Sequence, residues 1–239
     1  EELGALEPLR EGLADGLLDD LIRHLSHLQT LRVFSTTTAF AVRNSDGLKL
    51  AKTFGADYVL QWSASQVDGE MNVNFALIDA ASSKRTLDQS LKISGNKRTD
   101  FYRTVVPAVA KTLGVDARDA DNVFGRSQPN SDSYDAYLLG RYLLRHSERV
   151  PLDSIAAVFD ISRQRDPSYP HAEAALGWTN ILIHNALADT SNLYLEQAAK
   201  NLRRAMNLGA SSSEVYSLWG AIEFFRARFP QAVERLKQA

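Results

Sequence analysis

The apolar residues of this chain change their spacing near residue 125, and this change restricts the possible folds more than any other feature. Before that point, segments with the period of a helix, about 3.6 residues, alternate with segments that have the period of a strand, about two. After it, only the helical period recurs. The segment 125–133 is small, polar and broken by Pro129, as linkers are. We therefore predict an α/β domain over 1–124, a linker at 125–133 and a helical domain over 134–239.

The first half begins with leucines at spacings of three and four, from Leu13 through Leu17 and Leu21 to Leu28. Such spacing predicts an amphipathic helix with one buried face. The other predicted elements are a strand at 32–37, a helix at 45–54, strands at 58–63, 71–77 and 86–93, and a helix at 99–113. The order αβαβββα predicts a small mixed sheet with packed helices, so the fold class is α+β, followed by an all-α helical stack.

Three turn signals bound these elements. Gly55 and Gly114 each follow a predicted helix, where a residue without Cβ can take the left-handed conformation of a helix end. Asp68-Gly69 stands between two predicted strands and predicts a tight hairpin, because Gly tolerates positive φ. The Asp15-Gly16 pair is interpreted as serving the helix, with the carboxylate near its positive end and Gly relieving local crowding.

Several motifs of the first half occur together in one known family. They are Leu13 to Ile22, Leu31 to Val33, Thr38 to Phe40, Gly55 to Leu60 and Phe75 to Ala80. The set resembles the TolB amino-terminal-like domain, which bacteria place before tetratricopeptide repeats in CadC-like transmembrane regulators, adenylate cyclases and some protein kinases. The resemblance implies a sensory or adaptor module without a catalytic role.

The chain departs from that family at its amino terminus. Family members begin with an apolar strand, whereas Leu3, Leu6 and Leu9 recur here every three residues, which is typical of a helix. A sheet that lacks its first strand has an exposed edge, with which another chain can pair. We therefore expect a homodimer formed through that edge.

The second half resembles tetratricopeptide repeats. In that motif a Leu-Gly pair lies on the first helix of each repeat, because Gly lets the second helix approach closely, and small Ala residues mark the crossing. The matching residues are Leu139-Gly140, Phe159 and Pro167; Leu176-Gly177, Ala198, Leu202 and Ala205; and Tyr216, Trp219-Gly220, Phe229, Ala232, Leu236 and Ala239. Because the last helix has an uncapped apolar face, we expect more repeats after Ala239.

A stack of such repeats presents its first helices on a concave surface, which commonly holds a peptide or protein segment. The inward positions of the family predict a partner-binding groove formed by Tyr134, Tyr137, Arg141, Arg145, His171 and Trp178, with Ile181, Glu214, Ser217 and Phe224 beside them. Aromatic residues and Arg are frequent interface hot spots. The alternative is that Trp178, Ile181 and Phe224 are interhelix core.

One cluster on the first helix has the spacing of a metal site. Asp20, His24 and His27 are four and three residues apart, so they lie on neighbouring positions of one face, and Asp19 could assist. Three ligands on one helix without a distant fourth make a weak site. We favour the alternative, a solvated polar face opposite the leucines, and predict no metal and no cofactor.

No catalytic signature is found in the sequence. It has no Gly-Lys-Ser phosphate loop, no G-x-S-x-G elbow and no kinase catalytic loop. The carboxylate pairs Asp19-Asp20 and Asp119-Asp121 are of a kind that usually lies on the surface. We therefore predict that the chain is not an enzyme.

Charge and hydropathy limit the partners. The 27 basic and 29 acidic residues leave a net charge of −2, which argues against nucleic acid, because phosphate binding needs a basic face. The chain has no Cys, so disulfides and thiolate sites are excluded. No apolar run approaches the roughly 20 residues that span a bilayer.

Two function classes remain open. Because the chain opens at Glu1 without an initiator Met, we expect any anchor or effector domain to lie outside it. The first class is a noncatalytic sensory and protein-interaction module of a bacterial regulator, periplasmic and joined to the inner membrane by such an anchor. The second is a cytoplasmic tetratricopeptide scaffold fused to a protein kinase or adenylate cyclase domain.

Overall fold

The computed structural model describes residues 2–28, 30–42, 45–67, 70–94, 97–116, 129–210 and 212–239, with the backbone alone for 2–11, 40, 42, 66–67 and 212. The chain forms two compact units. One unit comprises Leu17–Phe124 and contains the sheet. The other, the helical unit, comprises Glu1–Gly16 together with Gly125–Ala239. Residues 1–16 thus group with the helical unit and not with the sheet.

Four helices and three strands are described before residue 125. They are α1 (Glu2–Ser26), α2 (Thr36–Val42), α3 (Gly47–Phe54), β1 (Tyr58–Val67), β2 (Glu70–Asp79), β3 (Arg85–Ile93) and α4 (Asp100–Leu113). The sheet has the order β1-β2-β3, and both pairings are antiparallel, with Phe75 opposite Trp62 on one side and Gln89 on the other. The α+β class is correct, but the predicted mixed sheet is wrong.

The predicted strand at 32–37 accounts for this difference. Residues 31–35 have no regular structure, and α2 begins at Thr36. The Ser35 hydroxyl accepts a hydrogen bond from the Thr38 amide at 3.3 Å, and the Ser35 carbonyl accepts one from the Ala39 amide at 3.0 Å. A helix cap therefore replaces the strand, because no strand of the described residues pairs with this segment.

The core of the sheet unit lies on one face of β2. Its alternating residues Val73, Phe75 and Leu77 are at most 2% exposed. The ring centroids of Phe101 on α4 and Trp62 on β1 lie 5.5 Å apart. Burial of each such side chain stabilises the fold by about 1.5–3 kcal/mol. β1 and β3 are the edges of the described sheet, and the pairing of a second copy at an edge stays a prediction.

Both predicted helix-ending glycines have left-handed backbone conformations. Gly55 and Gly114 each have φ of 67°, and their amides bond back into α3 and α4. At the other end of α3, the Asp46 carboxylate accepts hydrogen bonds from the Leu48 and Lys49 amides at 3.0 and 3.2 Å. The Asp68-Gly69 turn lies outside the described residues.

The helical unit contains three helical hairpins in its described part. They are the first hairpin, α5 (Ser131–Arg145) and α6 (Leu152–Arg165); the second, α7 (Pro170–Leu187) and α8 (Leu193–Asn207); and the third, α9 (Ser212–Phe225) and α10 (Phe229–Gln238). The predicted linker at 125–133 is too long at its end. Asn130 caps α5 by accepting from the Ser133 amide at 2.8 Å, so 131–133 are helical, and 125–128 lie outside the described residues.

One glycine closes each hairpin. A Cβ on Gly140 would lie 2.5 Å from the Phe159 ring, one on Gly177 2.8 Å from Leu202, and one on Gly220 2.8 Å from Leu236. Contacts this short do not occur between real side chains. The glycines therefore allow the two helices of each hairpin to approach, which confirms the reason given for the Gly positions.

The Asp15-Gly16 pair does not start a helix. Since α1 begins at Glu2, the pair lies in the middle of that helix, far from its positive end. A Cβ on Gly16 would lie 2.8 Å from the Leu138 carbonyl oxygen of α5. Gly16 thus lets α1 approach the backbone of α5 within the helical unit, which agrees with its expected relief of local crowding. The dipole interpretation of Asp15 is wrong.

The outer faces of the second and third hairpins differ in burial. In the second hairpin, Leu195, Ala199 and Leu202 are at most 1% exposed. The corresponding residues of the third hairpin, Phe229, Val233 and Leu236, are 55%, 52% and 55% exposed. The second hairpin is covered by α9, whereas the described residues place no helix over the third.

Candidate partner-binding face and an interhelical cavity

The predicted groove residues lie on α5 and α7, the first helices of the first two hairpins. Tyr134 and Tyr137 are 0% and 1% exposed. Their rings lie 6.3 Å apart, and the Tyr137 ring meets Tyr169 edge-on at 5.3 Å. A partner cannot reach side chains that are buried in this way. Both tyrosines are interior residues, and we leave them out of the partner-binding face.

The aromatic interior around these tyrosines extends from the first hairpin to the second. The ring centroids of Tyr137 and Phe159 of α6 lie 6.1 Å apart, and those of Tyr169 and His171 lie 5.4 Å apart. Aromatic pairs at such distances add about 0.5–1.5 kcal/mol beyond the area that they bury. Tyr169 was not among the residues predicted from the sequence. Its position directly before Pro170, the first residue of α7, is the signal that could have revealed it.

His171 also connects the second hairpin to the third. Its Nδ1 lies 3.6 Å from Oε2 of Glu214, a residue predicted from the sequence to lie beside the groove. The His171 side chain is 8% exposed and that of Glu214 is 27% exposed. His171 is therefore part of the packing between hairpins and offers only a small area to a partner.

Arg141, Arg145 and Trp178 remain as the accessible members of the predicted set. All three are partly buried, and Nη1 of Arg141 donates to the Tyr137 hydroxyl at 3.4 Å. We call these three residues, which only the predicted groove groups together, the Arg-Trp face. Guanidinium groups bind carboxylates and stack on aromatic rings, and Arg and Trp are frequent interface hot spots.

The alternative interpretation of the neighbouring apolar residues is partly correct. Ile181 is 1% exposed and belongs to the core between the second and third hairpins. Trp178 packs against that core while remaining partly exposed. Phe224, in contrast, is 57% exposed and is not a core residue.

The Asp-His cluster on α1 is buried, so the interpretation as a solvated polar face is wrong. Asp20 is 3% and His24 2% exposed. Oδ1 of Asp20 accepts from Arg23 at 2.5 Å, and the Asp20 carbonyl lies 2.7 Å from Nδ1 of His24. In the described part of the chain, no group of three or more His, Cys, Asp or Glu residues has a geometry that could hold a metal ion.

A tyrosine of α4 completes this buried cluster. The Tyr102 ring stacks on His24 with centroids 4.1 Å apart. Burial raises the pKa of Tyr102 far above its usual range, and the negative charge of Asp20 raises it further. Tyr102 therefore stays protonated at neutral pH, and the cluster contains no phenolate nucleophile.

A polar cavity of about 320 Å³ lies where α6, α7 and α8 meet. Its wall includes Glu173, which lies in the first turn of α7 and is 1% exposed. This cavity was not predicted from the sequence. A carboxylate in the run Ala172-Glu173-Ala174 was the available signal, because buried Glu is rare without a partner.

Comparison with known proteins gives a distant similarity. No protein-family model matches the chain. A putative adenylate cyclase 3 of Rhizobium meliloti (strain 1021) is 23% identical over 208 residues, which is 84% of this chain and 34% of that protein. The chain thus spans about a third of the length of this relative. The similarity is longer than either compact unit and therefore includes parts of both.

None of the described helices combines the length and the apolar character that crossing a bilayer requires.

Proposed function

We propose that this chain is a noncatalytic protein-interaction module of a bacterial signalling protein, with the Arg-Trp face as the contact surface for a protein or peptide. The observation that carries the proposal is repetition. Three hairpins of the described chain are each closed by a glycine that faces one large side chain. Stacked hairpins of this kind form extended surfaces that bind other chains.

The absence of catalysis is part of the proposal. Tyr102 of the sheet unit is held in its protonated form by burial. Asp20 and His24 are hydrogen-bonded inside the same unit. Groups that are buried and mutually bonded support a fold more often than they support chemistry.

Two settings of this module are possible, and the relative favours one of them. A putative adenylate cyclase that matches over both units supports a cytoplasmic scaffold joined to a cyclase domain. The resemblance to TolB amino-terminal-like and tetratricopeptide modules also fits a membrane-anchored, CadC-like regulator with this part in the periplasm. We propose the cyclase-linked scaffold first and the regulator second.

The test uses the full-length protein in a bacterium that lacks its own adenylate cyclase. Arg141→Ala with Arg145→Ala removes both cations of the Arg-Trp face. Arg149→Ala with Arg228→Ala is the matched control, since these arginines are 79% and 59% exposed elsewhere on the helical unit. Cyclic AMP and partner recovery after cross-linking are measured for both variants.

We expect the Arg-Trp face variant to lose partner recovery, while the control variant resembles the parent. Equal recovery by the two variants would refute the proposed contact surface. Cyclic AMP from the parent supports the cyclase-linked setting. A full-length protein with a DNA-binding domain and an apolar span instead, and no cyclic AMP, would support the regulator.

A further inference from the structure

We propose that the cavity between α6, α7 and α8 binds a neutral monosaccharide in its ring form, and that a hydroxyl group of the sugar donates a hydrogen bond to Glu173. This site is separate from the Arg-Trp face, and the proposal does not depend on that face. Three observations support it: a buried carboxylate oxygen that receives no hydrogen bond, the charge balance of the wall, and the size of the cavity.

The buried carboxylate oxygen is Oε1 of Glu173. Glu173 is 1% exposed and lines the cavity. Its Oε2 accepts a hydrogen bond from Nδ2 of Asn201 at 2.7 Å. Its Oε1 is buried and receives no hydrogen bond from the described residues. A buried acceptor without a donor is costly, so a ligand that brings a donor to Oε1 removes this cost.

This oxygen lacks a hydrogen-bond donor and not a positive charge. Nε of Arg204 lies 3.0 Å from Oε1 of Glu173, but the contact is an ion pair without hydrogen-bond geometry. On α6, Nε of Arg163 donates to Oδ1 of Asp160 at 2.8 Å and balances that carboxylate. The third cation of the wall, Lys200, is exposed to solvent. Because an arginine balances each carboxylate, the wall favours a neutral ligand over an amine or an anion.

The amide side chains of the wall offer donors and acceptors side by side. Nδ2 of Asn180 donates to Oδ1 of Asn201 at 3.3 Å, and Oδ1 of Asn180 accepts no side-chain hydrogen bond from the described residues. Gln197 of α8 adds a carbonyl oxygen and an NH₂ group. A hydroxyl both donates and accepts at one oxygen, so it can bond to either half of an amide. Several hydroxyls on one small molecule therefore suit this wall.

The arrangement along α7 favours a ring that carries these hydroxyls. Glu173 and Asn180 are seven residues apart and lie on one face of the helix, separated by about 10 Å along its axis. Leu176 lines the cavity between them with an apolar side chain. A ligand that reaches both polar side chains needs hydroxyls at opposite ends and an apolar surface in the middle. A pyranose has both, because its C–H groups lie between its hydroxyls.

The size of the cavity limits the ligand to one ring. A volume of about 320 Å³ is at the small end of ligand pockets and equals that of about ten water molecules. A single pyranose has roughly that number of non-hydrogen atoms, whereas a disaccharide has roughly twice as many. Size, charge and hydrogen bonding thus point to the same class, a neutral monosaccharide.

The test is a titration of the chain with glucose, galactose and mannose in turn, followed by amide signals in NMR. The 2-amino and uronic acid derivatives of each sugar are the charged counterparts. Asn180→Ala removes one polar group of the wall, and Glu173→Gln puts an NH₂ group in place of one carboxylate oxygen. Asn185→Ala is the matched control, because Asn185 is an exposed residue of the same helix that does not line the cavity.

We expect at least one of the three sugars to give saturable shifts confined to α6, α7 and α8. Asn180→Ala should weaken its Kd about threefold to tenfold and Glu173→Gln at least about tenfold, whereas Asn185→Ala should leave it unchanged. The charged derivatives should bind more weakly, because an ammonium group meets the arginines of the wall and a carboxylate meets Glu173.

Two results would overturn the proposal. In the first, none of the three sugars gives a saturable shift, which means that the cavity holds water only. In the second, Asn180→Ala binds as tightly as the parent, or an amino sugar or uronic acid binds more tightly than the neutral sugar. Asn180→Ala removes a single hydrogen bond of 3.3 Å, so we expect this variant to fold even where Glu173→Gln does not, and melting temperatures check both.

Discussion

The second and third hairpins have the same internal contact but different surroundings. Gly177 faces Leu202 in one hairpin, and Gly220 faces Leu236 in the other, with the same closest distance of 2.8 Å for an added Cβ. Yet Leu202 is 0% exposed and Leu236 is 55% exposed. The closure of a hairpin is thus local, whereas the burial of its outer face depends on the next helix.

The helix that covers the second hairpin is α9. Its Val215 and Ile222 are both 0% exposed and join Leu202 in one core cluster. Ile181 of α7 is also in this cluster at 1% exposure, whereas Phe224 at the equivalent position of α9 is 57% exposed. Equivalent residues are thus buried to different degrees, and we expect their contributions to stability to differ accordingly.

The largest expected effect is a difference between two Leu→Ala variants. Leu202→Ala should lower the free energy of unfolding by about 2–5 kcal/mol, because it leaves a cavity in a closed core. Leu236→Ala should cost less than about 1 kcal/mol, since its side chain is already half in water. Urea unfolding followed by circular dichroism measures both. Equal losses would show that the outer face of the third hairpin is covered in solution.

The next largest effect is expected for Gly→Ala substitutions, whose change in stability should differ in sign between the two hairpins. Gly177→Ala should destabilise the chain by about 1–3 kcal/mol, because the buried Leu202 cannot move away. Gly220→Ala should be neutral or stabilising by up to about 1 kcal/mol, since exposed Leu236 can shift and Ala favours a helix over Gly. The melting temperatures of the two variants, compared with that of the parent, test this prediction. A similar loss in both would mean that backbone contact, rather than the leucine, sets the limit.

A smaller effect is expected at the ion pair that joins these hairpins. Nη2 of Arg226, in the turn after α9, donates to Oε1 of Glu196 on α8 at 2.6 Å. Because the Glu196 side chain is 65% exposed, Glu196→Gln should cost only about 0.2–1 kcal/mol, and less at high salt. Unfolding at low and high salt tests this. A loss that salt does not reduce would indicate a packing role for Glu196.

The smallest effect is a pH dependence at the turn between α7 and α8. Hydrogen bonds from Ser191, the hydroxyl first, lower the pKa of Asp189 below its usual value of about 3.9. A lowered pKa in the folded state gives stability that is present above the unfolded pKa and lost as pH falls through the folded pKa. Asp189→Asn should therefore flatten the stability profile only below about pH 4. An unchanged acid limb would show that other carboxylates dominate there.

The periodicity of the sequence predicted most of the fold. Apart from α2, which was not predicted, the helices of both halves follow from apolar spacing. Gly55, Gly114 and the three hairpin glycines follow from the absence of a Cβ. The strand predicted at 32–37 failed because β-branched residues favour a strand only where a neighbour offers a ladder. Ser35 offered a helix cap instead.

The burial of polar residues was harder to predict. Asp20 and His24 look like a solvated face in the sequence, because the Tyr102 ring that stacks on His24 comes from a distant helix. The cavity beside Glu173 combines side chains from three helices, none of which shows a motif by itself. Because such sites combine residues that are far apart in the chain, no local sequence pattern predicts them.

The turn between α7 and α8 is suited to the insertion of a foreign sequence. Ala188 and Asn192 bracket this turn with positive φ angles of 47° and 60°. Since Gly177 and Leu202 hold the two helices together well away from it, the turn need not define their geometry. A foreign epitope or a sensor peptide could be grafted between Ala188 and Asn192, and the hairpin would serve as a display scaffold.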